Sequence, residues 1–166
     1  MYLLDSNVLI EAKNRYYAFD IAPGFWAWLD RAHDKGLACS IDAVRDELLA
    51  GNDQLAEWVR QHPDFFRPLD QGTTRHFGPL TAWAGSRDFT HAAIAAFTGD
   101  AADYLLVAYA KEHEYVLVTH ERPDPNAKSR IFMPDACIAL GVEYADTFKM
   151  LRETGAHLDL RPNEEQ

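Results

Sequence analysis

Four acidic residues stand where a carboxylate can take part in chemistry as well as in solvation. Asp5 separates two apolar runs in "YLLDSNVLI", and Glu47 lies in "SIDAVRDELLAG", three and four residues from Val44 and Ala43, so it borders a buried helix face. Asp103 opens "DYLLVAYA" on the face that continues as Leu106, Val107 and Ala110, and Glu121 follows the apolar run "YVLVT" and His120. Carboxylates gathered away from water raise one another's pKa values, and desolvation adds to the cost. A bound divalent cation removes that cost, and hard oxygen ligands with waters suit Mg2+ or Mn2+. A centre of this kind generates hydroxide and stabilises an in-line displacement at phosphorus.

The four acids can act together only if the elements carrying them share an edge. Tyr2 to Asp5 reads as a short buried strand, and Asn7 to Lys13 as a helical turn or two. "IAPGFWAWLDRAHDKG" predicts a helix entered near Pro23 and stopped at Gly36, with Phe25, Trp28 and Leu29 on one face. "LACSI" predicts a second strand, Asp42 to Ala50 a helix closed by Gly51, and "DQLAEWVRQH" another helix. "FFRPL" reads as a third strand, with Pro68 at its end or edge. Thr73 to Phe97 is expected to be mostly helical, broken near Gly78-Pro79 and Gly85. A helix from about Ala101 to Glu112 then leads into the strand "YVLVT", the loop "RPDPNAKSR", a last strand "IFMP" and a helix from Pro134. Helices alternating with short apolar strands predict an α/β fold: a three-layer α/β/α sandwich with a short central parallel sheet of four to five strands. In such a sheet the carboxyl ends of strands and the starts of the following helices share one edge.

Each acid also has a plainer role. Asp5 could cap the turn that follows, Glu47 could be a solvated helix residue, and Glu121 a loop acid. Asp100 and Asp103, three apart, have the spacing of a capping box, with Asp100 the natural cap. Only their common edge favours chemistry over these roles.

Composition frames the rest. The 166 residues are 48% hydrophobic and 25% charged, enough for one domain, expected over 1–155 with a polar tail at 156–166. No apolar run approaches the ~18 residues that span a bilayer, and no secretory signal pattern is present. Cys39 and Cys137 lie in apolar contexts, as expected of buried free thiols in a reducing cytoplasm. Sixteen Lys and Arg against 26 Asp and Glu give a net charge of −10, the wrong sign for a nonspecific nucleic-acid binder. A phosphate-rich substrate must then be met by a local basic patch or by bound cations.

From Tyr2 to about Leu140, "YLLDSNVLI", the Glu in "SIDAVRDELLAG" and "DAADYLLVAYAKEHEYVLVTHE" resemble the PIN-domain family of metal-dependent ribonucleases, which includes the VapC-type toxins of bacterial toxin–antitoxin pairs. The resemblance implies that Asp5, Glu47 and Asp103 are catalytic metal ligands for Mg2+ or Mn2+. Glu121 stands at the fourth catalytic and metal-binding position, completing a second or outer-shell site, where the family more often has Asp. Asn7 and Thr119 match polar positions that support the site, with Asp100 close by. It further implies an endoribonuclease in which an activated water attacks an RNA phosphodiester, expelling the 3′ oxygen and leaving a 5′-phosphate. Its partners would be RNA and a cognate antitoxin protein, with a homodimer left open and no membrane.

"EAKNRYYAFDIAPGFWAWL" resembles a PIN-like subgroup with an aromatic insertion, and reads either as a packed core patch or as a surface for RNA. In the second case Arg15, Tyr16 and Tyr17 would stack on bases or meet phosphate. Arg122, Lys128 and Arg130 form a candidate basic rim, and His120 a candidate substrate contact. His33, His62, His76, His91 and His157 read as surface or loop residues. Two rival functions are another metal-dependent phosphoesterase and a non-catalytic PIN-like binding or regulatory protein. A phosphatase with an aspartyl nucleophile would carry a second Asp where this chain has Asn7, which counts against that rival.

Overall fold

A computed structural model describes residues 1–99 and 101–159. Five short parallel strands form one sheet: β1 (Tyr2–Leu4), β2 (Ala38–Ile41), β3 (Phe66–Arg67), β4 (Val116–Val118) and β5 (Tyr144–Ala145), in the order β3-β2-β1-β4-β5. The register pairs Tyr2 with Ala38 and Val116, and Leu4 with Val118. The central strands are nearly continuous apolar runs because helices cover both faces, leaving no face that would call for polar alternation. The architecture is thus the expected three-layer α/β sandwich. Its strand order reverses between β1 and β4, and ligands in open α/β sheets bind outside the carboxyl ends at such a switch point.

Nine α-helices are found among the described residues: α1 (Ser6–Glu11), α2 (Pro23–Asp34), α3 (Asp42–Ala50), α4 (Gln54–Gln61), α5 (Phe77–Ser86), α6 (His91–Thr98), α7 (Ala102–His113), α8 (Met133–Leu140) and α9 (Thr147–Glu153). The helix entered at Pro23 and the one running to Ala50 fall where expected. α4 begins after Asp53, whose carboxylate accepts from the amides of Leu55 and Ala56. No helix among the described residues is long and apolar enough to cross a membrane.

Two expectations need correction. The break near Gly78-Pro79 does not occur: Pro79 falls in the first turn of α5, where a missing N–H costs nothing, and Gly85 lies within the helix's last turn. The break expected near Gly85 does occur, just beyond it at Arg87–Thr90, where the Thr90 hydroxyl caps α6. "IFMP" is no strand. Met133 already opens α8, its amide taken by the Glu121 carboxylate at 2.8 Å. The fifth strand is Tyr144–Ala145, after Gly141 ends α8 in the left-handed conformation.

One core runs through all layers, with Leu3, Leu4, Phe25, Leu29, Ile41, Leu106, Leu117 and Met133 fully buried. Cys39 and Cys137 are buried and unlinked, and burial pushes their thiols up to about 11 and about 12. The aromatic segment is mainly core. Tyr17 stacks on Phe25, Phe19 on Trp26, and the Trp26 indole donates to the Tyr17 carbonyl at 2.7 Å.

Candidate functional site

Asp5 leaves the sheet at the switch point. Its backbone N–H still pairs with the Val118 carbonyl at 3.1 Å, so the residue is tied to β4 as well as β1. It occupies the N-cap position of α1 but makes no capping hydrogen bond through its side chain. The plain capping role is at most weakly filled, by the Asn7 amide. The side chain is fully buried, and two hydroxyls donate to it: Ser6 at 3.3 Å and Thr119 at 3.4 Å. Both are long for O–H···O bonds. Burial first, then the charges of Asp103 and Glu121, push the carboxyl up to about 7, partly offset by the Asn7 amide and Ser6.

Asp103 reaches the same edge from α7, which runs antiparallel to β4 and so begins where β4 ends. The N-cap is Ala101, with no side-chain cap, so Asp103 stands at N2 and is not the partner in a capping box. Asp100 lies outside the described residues. Asp103 is half-buried beside a small cleft that Phe97, Ser129, Arg130 and Ile131 also line. Desolvation, with Glu121 and Glu47 next, raises its carboxyl to about 6, and Arg130 works against them. Glu47, on α3, is exposed and contributes its charge from there.

The four acids thus feel one another, but they are not equivalent. Glu121 is spoken for: one oxygen pairs with the Arg130 guanidinium, the other accepts the Met133 amide at the start of α8. Among the described residues no three His, Cys, Asp or Glu side chains form a group ready to hold a metal ion. Mg2+ does not need such a cage, since it is commonly held by one or two carboxylates with waters and substrate phosphates filling the rest. Asp5 and Asp103 fit that requirement: hard oxygen donors, both disfavoured as bare anions, one buried and one open to a cleft.

The supporting residues divide similarly. Thr119 bridges the site, donating to Asp5 and accepting the Glu121 amide at 3.2 Å. Asn7 is exposed and acts through its backbone amide. Of the basic rim, Arg130 is taken by Glu121 and lies 4.8 Å over the Phe132 ring, while Lys128 pairs with Asp88 at 2.5 Å. Arg15 and Arg122 are exposed. His120 is held from both ring nitrogens, by Glu11 and by the Thr147 hydroxyl, each at 2.7 Å. His33, His62 and His76 are half-buried helix or turn residues with hydrogen bonds rather than loose surface groups.

Three neighbours of the site escaped sequence reasoning. Ser6 could have been found from its adjacency to Asp5. Thr147 and Phe148 could not, because the strand before them, β5, is only two residues long.

A parallel α/β domain with an acidic pair at its topological switch point is the class these features define. Within it, the chain belongs to the family described as "Domain of unknown function (DUF4411)", whose model matches residues 2–158. Neither the curated proteins nor the solved structures yield a match.

Proposed function

We propose that this protein is a Mg2+- or Mn2+-dependent endoribonuclease. Buried Asp5 carries the reading. A carboxylate at the switch point, fully buried, met by two long hydroxyl contacts and the Asn7 amide but by no basic side chain among the described residues, and raised by burial and then by neighbouring acids, is placed for a cation rather than for a fold contact. Asp5 and Asp103 would hold the ion, with Glu47 reaching in from α3. When bound, Mg2+ or Mn2+ supplies an activated water and charge neutralisation at the scissile phosphodiester. The chain's own part is positional. Thr119 and Ser6 orient the Asp5 carboxylate, β1 and β4 fix its backbone, and the Asp103 cleft admits the phosphate. The PIN-like order of Asp5, Glu47, Asp103 and Glu121 supports RNA as the substrate. The same likeness supports a wider role as a cytoplasmic toxin silenced by a cognate antitoxin, and buried free thiols suit that compartment.

The deciding experiment is cleavage of single-stranded RNA with Mg2+ or Mn2+, comparing wild type, Asp5→Asn and an EDTA control. Cleavage that needs metal and Asp5 supports the reading; cleavage equal in Asp5→Asn overturns it. A second reading, a non-catalytic binding module, draws on the engagement of Glu121 by Arg130 and Met133. Mn2+ titration by calorimetry separates the two, because a nuclease must bind the ion and lose that binding in Asp5→Asn.

A further inference from the structure

Tyr16 and Tyr17 are consecutive, yet one serves the core and the other does not. After α1 the backbone widens into a π-helical turn over Ala12–Tyr16, closed by the Tyr17 N–H donating to the Ala12 carbonyl at 2.6 Å. Turns of this kind are rare and recur at functional sites. Here the turn accompanies a split. Tyr17 packs inward on Phe25 at 4.3 Å with ring planes 5° apart, while Tyr16 remains 50% exposed.

Tyr16 stands in a corner of aromatic rings. His120 lies 6.1 Å away at 89° and Phe148 6.2 Å away at 75°, both in edge-on geometry. Phe148, on the first turn of α9, is itself 45% exposed. His120 is braced by Glu11 and Thr147, so one wall of the corner is fixed by polar bonds on both ring nitrogens. That wall is one residue from Thr119, which donates to Asp5. The corner therefore adjoins the acidic pair on the carboxyl edge of the sheet. Arg15, next to Tyr16, has an exposed guanidinium whose nearest acid, Glu11, is 4.0 Å away.

We propose that Tyr16 and Phe148, braced by His120, form a stacking platform for an unpaired nucleobase of the RNA substrate, with Arg15 meeting the flanking phosphate. The identity of the ligand rests on the ribonuclease reading above. A chain of net charge −10 cannot hold RNA by general electrostatics, so contacts indifferent to that charge must supply much of the affinity. Base stacking on exposed aromatic faces is such a contact, and it requires no sequence-specific hydrogen bonds.

The test measures binding of the full chain, in EDTA, to a short fluorescein-labelled single-stranded RNA and to the same strand without bases. Tyr16→Ala and Phe148→Ala should each weaken binding of the base-bearing strand by about 5- to 100-fold and leave the abasic strand unaffected. Tyr16→Phe should bind like wild type. Ile138→Ala, another exposed apolar residue, should change nothing. Equal losses on both strands, no loss on either, or a wild-type chain that does not bind the base-bearing strand would overturn the proposal. So would a wild-type dimer that Tyr16→Ala converts to monomer without base-dependent binding, since a second copy would then cover the corner. Failure of the ribonuclease reading looks different: base-dependent binding through Tyr16, with no metal-dependent RNA cleavage. If cleavage needs Asp5 while Tyr16→Ala binds and cleaves as wild type does, only the platform fails.

Discussion

The two ends of α7 carry acids under opposite regimes. At its start, Asp103 shares the switch-point edge with Asp5, and both carboxyls are raised, to about 6 and about 7. At its end, Glu112 pairs with Arg75 at 2.7 Å and His76 at 2.9 Å, and Asp70 accepts from His113 at 2.7 Å. Asp70 also takes the Thr73 amide and hydroxyl, and these bonds hold its carboxyl below the ordinary value. Even the backbone accommodates the pairing, since a Cβ at Gly72 would collide with the Glu112 carboxylate. Acids that serve the fold are matched with donors within the chain. Asp5 has only hydroxyl and amide donors, and neither it nor Asp103 forms an ion pair among the described residues, as at a site awaiting a cation.

The contrast breaks most decisively at Asp5. Asp5→Asn keeps the side chain's shape and removes one charge from the crowded edge. RNA cleavage with Mn2+ should fall by about 100-fold or more, while stability without metal should stay level or rise as like-charge repulsion falls. If the variant unfolds without metal yet its folded fraction still cleaves, Asp5 belongs with the structural acids after all. Leu106, fully buried along α7 between the two ends, is the control. Leu106→Ala should cost about 2–5 kcal/mol in chemical denaturation through the cavity it leaves, with activity per folded molecule unchanged.

A third measurement reads the raised carboxyls directly. Asp5 and Asp103 hold their protons more tightly folded than unfolded, so the folded state binds more protons between the ordinary value of 3.8 and about 7 for Asp5, or about 6 for Asp103. Their contribution to stability must therefore decline as pH rises through that window and level off above it. In EDTA, urea midpoints should show a loss from this source on the order of a few kcal/mol between pH 4 and pH 8. Asp5→Asn should show a smaller decline; an identical pH profile in the variant would remove Asp5 from the coupled pair.

What the sequence made legible follows the length of the signal. The long amphipathic stretches of α2 and α3 have ends marked by Pro23 and Gly51, and both fall where expected. Asp5 and Asp103 were legible because each abuts a buried apolar run, so strand and helix geometry alone placed them on one edge. Glu121 had the same signal, yet its partners, Arg130 and the Met133 amide, come from a loop and a helix start whose path no periodicity encodes. β5 is two residues long, too short for a pattern of its own, and Phe148 was lost with it. Pro79 misled because proline breaks a helix only beyond the first turn, and the start of α5 was not legible.

The smallest expected effect tests the other end of α7. Asp70→Asn keeps an oxygen able to accept from the Thr73 amide and hydroxyl, so the turn should survive. What disappears is the charge facing His113, in a pair that is partly exposed to solvent. Such pairs contribute roughly 0.2–1 kcal/mol, and a midpoint shift of that size is expected at pH 7. The sign of its pH dependence is opposite to that of Asp5. The folded carboxyl sits below the ordinary 3.8, so its stabilisation is complete above that value and is lost as pH falls through the folded one. Wild type and Asp70→Asn should thus differ at neutral pH and converge in acid, whereas wild type and Asp5→Asn without metal should be closest in acid and diverge as pH rises, with the variant the more stable. Salt sharpens the distinction further. The Asp70 difference should shrink as added NaCl screens an exposed pair, and the Asp5 difference, arising in a buried carboxylate, should persist. A salt-insensitive Asp70 effect would mean that its hydrogen bonds to Thr73, rather than its charge, hold that end of the helix.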